Sequence, residues 1–261
     1  MTDLLPHIVI LLFAASVLAG FIDSIAGGGG LIAIPAMLLA GIPPLEALGT
    51  NKLSAQFGAA SATLSYARKG HVRLSEQYPM ALMAVGGGAL GALAAAFVPP
   101  DYLRAIMPVM LIAIGLYFAF KPSLGDADSK RRMRPFIFGL SIVPLIGFYD
   151  GIFGPGTGSF FMLAFVLLAG FGLLKATAHT KLLNLGSNFG AFLVFVVTGS
   201  ILWKLGVVMA IGQIIGAQIG SRLAMKNGAK LIRPLLVVSC LAMAARLLID
   251  PANPLRLALG L

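Results

Sequence analysis

The chain has 261 residues, 59% of them hydrophobic and only 11% charged, with a net charge of +10. Soluble domains carry about 25% charged residues, and the cations here lie in short loops between apolar runs, so a soluble enzyme and a nucleic-acid-binding module are both excluded. Apolar runs of roughly 17–25 residues, each able to cross a lipid bilayer, recur along the whole length and predict an all-α polytopic membrane protein.

The first run, "LLPHIVILLFAASVLAG" from Leu4, has Asp3 ahead of it and no lysine or arginine. That is wrong for a signal peptide, so it is expected to stay in the mature chain. "GFIDSIAGGGG" (Gly20–Gly30) follows, then a short apolar element, 31–41, and the polar stretch "ALGTNKLSAQ" (Ala47–Gln56). Arg68, Lys69 and Arg73 mark a cationic loop, and spans are predicted near 78–98 and 103–121. The polar linker "SLGDADSKRRMR" (Ser123–Arg134) separates these from further runs at 135–152, 156–170, 174–197 and 204–223. Arg222, Lys226, Lys230 and Arg233 form the last cationic group.

The chain repeats itself. "GFIDSIAGGGG" returns as "GFYDGIFGPGTG" (Gly147–Gly158), so Asp23 answers Asp150 and Gly27 answers Gly154. "ALGTNKLSA" lines up with "ATAHTKLLN" (Ala176–Asn184), setting Lys52 opposite Lys181, and "GGALGA" (Gly87–Ala92) matches "GQIIGA" (Gly212–Ala217). The offset stays nearly constant, which divides the chain into a first repeat (1–122), a cytoplasmic linker (123–134) and a second repeat (135–261). Cytoplasmic loops carry the excess of lysine and arginine. Placing all three cationic groups inside predicts five membrane elements per repeat, an external amino terminus and repeats of inverted topology. Eight full spans with two glycine-linked hairpins is the alternative.

Inverted repeats with interrupted helices typify secondary transporters, whose site lies at the midplane where the repeats meet. Non-helical backbone survives in a membrane only inside protein or beside a watery cavity, and glycine allows the chain to turn and to approach a ligand. Helices restarting at Leu31 and Ser159 would present amino-terminal N–H groups, which favour anions. Lys52 and Gln56 share a helical face, as do Lys181, Asn184 and Asn188. A single lysine could merely snorkel to the interface, but its recurrence in both repeats favours a functional reading.

The expected substrate contacts are therefore Gly27, Gly28, Gly29, Gly30, Asn51, Lys52 and Gln56 in the first repeat, and Gly154, Gly156, Thr157, Gly158, His179, Thr180, Lys181, Asn184 and Asn188 in the second. Asp23 and Asp150 are read as partners of the lysines, caps at the glycine breaks or proton carriers. The glycines at 87, 91, 212, 216 and 220 are read as helix packing, and Pro35, Pro108 and Pro234 as kinks. Three scattered histidines (His7, His71, His179) and one cysteine, Cys240, give no metal-ligand spacing. No Walker or dinucleotide glycine pattern is present, so no metal, cofactor or enzymatic activity is expected.

The stretch from "GFIDSIAGGGG" through "GTNKLSA", with "GFYDGIFGPGTGSFFM" and "ATAHTKLLNLGSN", resembles the sulfite exporter TauE/SafE family of membrane permeases over nearly the whole chain. The resemblance implies a multi-pass protein of the bacterial inner membrane that moves sulfite, sulfoacetate or related organosulfonates. The second repeat departs from the first in having "HTK" for "TNK". An anion channel of the same architecture and a permease for a different small anion or metabolite are the alternative functions. Oligomeric state, a homodimer included, is left open.

Overall fold

The computed structural model describes residues 5–95, 97, 100–120, 125–249 and 254, with backbone alone at 100–107, 110 and 247. The expected repeat boundary at 122–123 lies outside them. Among the described residues the chain is helical without strands. Five helices precede the linker: α1 (Pro6–Ala26), α2 (Gly30–Leu39), α3 (Pro44–Arg68), α4 (Leu74–Ala94) and α5 (Pro100–Phe120). Five follow it: α6 (Pro135–Ile152), α7 (Thr157–Ala169), α8 (Leu173–Val197), α9 (Trp203–Asn227) and α10 (Ala229–Ile249). Both α6 and α7 include a π-helical stretch, Phe138–Ile142 and Phe165–Ala169.

By length and apolarity α1, α6, α8 and α9 can each cross a membrane. The short elements cannot. At 1.5 Å per residue α2 reaches about 15 Å and α7 about 20 Å, against a hydrocarbon core of about 30 Å. Both fold back instead. The backbone N–H groups of Arg132 and Met133, just ahead of α6, donate to the Leu168 carbonyl near the end of α7 at 3.0 and 2.9 Å. In the first half Gly29 lies against Ala19 and Asp23 of α1, and Ala33 and Met37 of α2 share a buried cluster with Leu12 and Ala19.

Each side of the linker therefore holds five helices, a hairpin followed by three longer ones, and in each hairpin the second helix is too short to be a full crossing. A hairpin and a pair of crossings both return the chain to its starting side, so the inferred sidedness of the cationic loops is unaffected. Those loops gather at one end of the bundle. The Asp126 carboxylate of the linker accepts hydrogen bonds from Leu174 N at 3.1 Å and Ala229 N at 3.0 Å, holding the starts of α8 and α10 together. Asp128 accepts from Gly172 N at 2.9 Å and pairs with Lys175 at 2.6 Å. Gln77, in the first turn of α4, donates to the His179 carbonyl at 2.9 Å, which brings the Arg68–Arg73 loop to the same end. An excess of lysine and arginine is what the positive-inside bias associates with cytoplasmic loops.

Helix packing exchanges the two sides of the linker throughout. α1 packs on α9 as α6 packs on α4; α3 on α9 as α8 on α4; α5 meets α10 and α3 meets α8. Small residues permit the closest of these contacts, as expected for helices that associate without a strong hydrophobic drive. Gly212, Gly216 and Gly220 face the backbone carbonyls of Phe13, Val17 and Phe21 on α1, and Gly87 and Gly91 face those of Pro144 and Phe148 on α6. Positive-φ glycines recur in register as well: Gly27 with Gly154, Gly41 with Gly170 and Gly70 with Gly199.

Candidate functional site

Each hairpin turns at its glycines. Gly27 ends α1 with φ 77°, and Gly154 and Gly156 take φ 90° and 83° before α7. L side chains seldom adopt these angles. Polar groups then satisfy the interrupted backbone. Asp23 Oδ1 accepts from Gly28 N at 3.1 Å and Gly29 N at 3.2 Å, capping the turn after α1. Tyr149 Oη donates to the Pro155 carbonyl at 2.6 Å, and Thr157 Oγ1 lies 2.9 Å from Asp150 Oδ1.

The two turns touch. A Cβ on Gly27 would sit 2.5 Å from the Gly158 carbonyl carbon, and Ser159 Oγ donates to the Ala26 carbonyl at 3.0 Å. Glycine on both sides allows backbone to press against backbone at the centre of the bundle.

Around this contact the lysines and aspartates form crossed pairs. Lys52 Nζ on α3 lies 2.8 Å from Asp150 Oδ1 and donates to the Asp150 carbonyl at 2.6 Å. Lys181 Nζ on α8 lies 3.3 Å from Asp23 Oδ2 and donates to the Asp23 carbonyl. Lys52 is 1% exposed, Lys181 0% and Asp150 2%. A buried charge is tolerated only when it is paired and hydrogen-bonded, and here each ammonium finds its carboxylate on the other side of the linker. The aspartates therefore act as lysine partners, and Asp23 is a cap as well.

A cavity of about 20 Å³ lies between the turns, lined by Asp23, Gly28, Gly29, Gly30, Asn51, Lys52, Asp150, Gly154, Thr157, Gly158, Asn184 and Asn188. Asn51 Oδ1 and Asp150 Oδ2 are buried there without a hydrogen-bond partner, whereas Asn188 Nδ2 donates to Asn184 Oδ1 at 3.0 Å. The cavity has room for about one water molecule.

Other residues expected at the site lie off this cavity. Gly27 is enclosed in the contact with Gly158, and Gly156 faces Leu111. Gln56 and Thr180 are buried away from the lining, Thr180 Oγ1 without a partner. Lys181 pairs with Asp23 without itself lining the cavity. His179 is placed elsewhere. Its ring packs on Phe165 and Phe171, with centroids 5.6 and 4.8 Å away, in a second cavity of about 130 Å³ near the cation-rich end. Gln77 and Arg131 also line that cavity. Neither stands out in the sequence, since "RLSEQYP" reads as an ordinary helix start and Arg131 as one of several linker cations.

The sequence has relatives along its whole length. The family profile described as sulfite exporter TauE/SafE matches residues 12–247. The probable membrane transporter protein ORF9 of a Sinorhizobium species is 65% identical over the full length of both chains. The probable membrane transporter protein YfcA of Escherichia coli (strain K12) is 50% identical over 94% of this chain and 91% of its own. Sulfite exporter TauE/SafE family protein 6 of Arabidopsis thaliana is 32% identical over 39% of this chain and 24% of its own. No solved structure matches. With the apolar helices and the buried charges they enclose, these likenesses establish that the chain belongs to the sulfite exporter TauE/SafE family and is a multi-pass membrane transporter.

Proposed function

We propose that the chain is an alternating-access carrier that exports small sulfur-containing oxyanions, such as sulfite or organosulfonates, across the bacterial inner membrane. The observation that carries this reading is the pair of crossed Lys–Asp contacts at the meeting of two glycine turns. A multi-oxygen anion offers each ammonium what the carboxylate now offers, so substrate competes with Asp150 for Lys52 and with Asp23 for Lys181. The remaining contacts are the glycine turns with Asn51, Thr157, Asn184 and Asn188 at the cavity, and Gln56 and Thr180 behind it; His179, in the second cavity, is not among them.

The central cavity is too small for sulfite as it stands, so loading requires the two sides to part. In this reading each side of the linker is one repeat, a hairpin plus three crossings. An odd number of crossings inverts the second repeat against the first, and rocking of one repeat on the other then opens the site alternately to the two faces. Export needs no ATP. With the cytoplasm negative, each outgoing negative charge gains about 2.3 kcal/mol per 100 mV. A dianion at ~100 mV gains about 4.6 kcal/mol, enough for a gradient above a thousandfold.

Purified protein in proteoliposomes loaded with unlabelled sulfite should accumulate labelled sulfite by counterflow. The same anion should raise the thermal midpoint, since a ligand at a hundred times its Kd stabilises the folded state by about 2.7 kcal/mol. Flux that neither saturates nor responds to sulfite on the far side would indicate a channel and end the carrier reading. Stabilisation by carboxylates alone would end the substrate assignment.

A further inference from the structure

The second cavity is the larger of the two described, about 130 Å³ against about 20 Å³, and the transport reading above uses none of it. It opens at the cation-rich end where α4, the linker and the α6–α7 hairpin meet. Its walls are apolar: Phe165 and Phe171 stack with centroids 5.3 Å apart and an interplanar angle of 6°, and Phe138 and Met80 complete the pocket. Arg131 stands at the mouth, and no carboxylate pairs with it among the described residues. Glu76 lines the same cavity, and its carboxylate is already engaged by Arg73 at 2.8 Å.

Four residues bring polar groups to the apolar wall: Glu76, Gln77, Arg131 and His179. Gln77 is 3% exposed, and its Nε2 donates to the His179 carbonyl. That bond fixes the orientation of the amide, because a flipped group would set oxygen against oxygen. Gln77 Oε1 is left buried without a partner. A buried acceptor is unfavourable until a donor meets it.

We propose that this cavity is a cytoplasmic-side binding site for a small organic anion whose apolar body carries a hydroxyl or amino group. The body lies on the Phe165–Phe171 wall, the donor meets Gln77 Oε1 and the anionic head faces Arg131. Size agrees, since an apolar cavity of about 150 Å³ accepts benzene. The proposal deepens the carrier reading, on which it rests for its role, by placing an organic rather than an inorganic anion at the loading side.

The test is titration calorimetry of the full chain in nanodiscs with 4-hydroxybenzenesulfonate and with benzenesulfonate. Wild type should bind the hydroxylated probe about fivefold to tenfold more tightly, the contribution of one buried hydrogen bond. Gln77→Met, which keeps the side-chain length and removes the acceptor, should erase that difference. Arg131→Ala, on the exposed linker, should weaken both probes about threefold or more, and it provides a readout even if Gln77→Met does not fold. Saturating sulfite should leave both affinities unchanged. Absence of binding, equal affinity for the two probes, displacement by sulfite, or discrimination that survives Gln77→Met would each overturn the site. Sulfite counterflow is measured separately, so failure here leaves the carrier reading standing, and loss of counterflow in wild type leaves this binding result standing.

Discussion

Methionine in place of Lys52 is expected to abolish sulfite counterflow and to lower the stability of the folded protein by about 3–5 kcal/mol, the usual consequence of leaving one buried charge without its partner. Asp150 would keep its charge in a 2%-exposed position with Thr157 as its remaining side-chain donor. Adding Asp150→Leu to Lys52→Met removes the orphaned carboxylate and should recover most of the lost thermal midpoint, because replacing both members of a buried pair by apolar groups is often close to neutral. Transport should not recover with it. Lys181→Met is expected to lose counterflow with a smaller stability loss, since Asp23 is partly exposed and retains the N–H groups of Gly28 and Gly29. The decisive comparison sets thermal midpoint beside counterflow in the double variant. Restored stability with restored flux would show that the lysine serves the fold and not the substrate.

Alanine at Gly27 should be at least as damaging. Its Cβ would lie 2.5 Å from the carbonyl carbon of Gly158 and from Ser159 N, both rigid backbone, in a residue already at φ 77°. The contact between the two turns cannot form without displacing one hairpin, so folded protein should fall to a small fraction of wild type in size-exclusion chromatography. Gly41→Ala is the matched control. Gly41 also has positive φ, at 80°, but nothing lies within 4 Å of its would-be Cβ. Its cost is then the backbone strain alone, about 1–2 kcal/mol. Equal yields of the two variants would refute the interlocked turns.

Much of this arrangement is legible in the amino-acid order. The recurrence of an aspartate, a glycine break and a polar lysine segment points to Asp23, Lys52, Asp150 and Lys181 before any coordinate is known, and "GGALGA" and "GQIIGA" announce the close helix contacts. Which carboxylate serves which lysine is not legible. Lys52 meets Asp150 across 98 positions of chain, and only the three-dimensional exchange of α1 with α6 and α3 with α8 decides it. Loop charge likewise counts crossings only as odd or even, so it cannot separate two spans from a hairpin. The 10-residue α2 resolves that question by its length alone. His179 occupies the repeat position of Thr50, yet Thr50 Oγ1 accepts from Leu202 N at 3.0 Å while His179 leans on Phe171. A shared register does not guarantee a shared environment when the neighbouring side chains differ.

The crossed pairs also have an electrical consequence. Two ammonium groups and two carboxylates meet where the glycine turns touch, so in the proposed carrier the unloaded site would take no net charge with it on reorienting. A bound dianion makes the loaded form doubly negative. Membrane voltage should therefore push on the substrate-bearing stroke, by about 4.6 kcal/mol over a full ~100 mV drop, and leave the return stroke nearly indifferent. One-for-one exchange moves no net charge per cycle, so voltage should leave its final substrate distribution unchanged, while net efflux should rise with it.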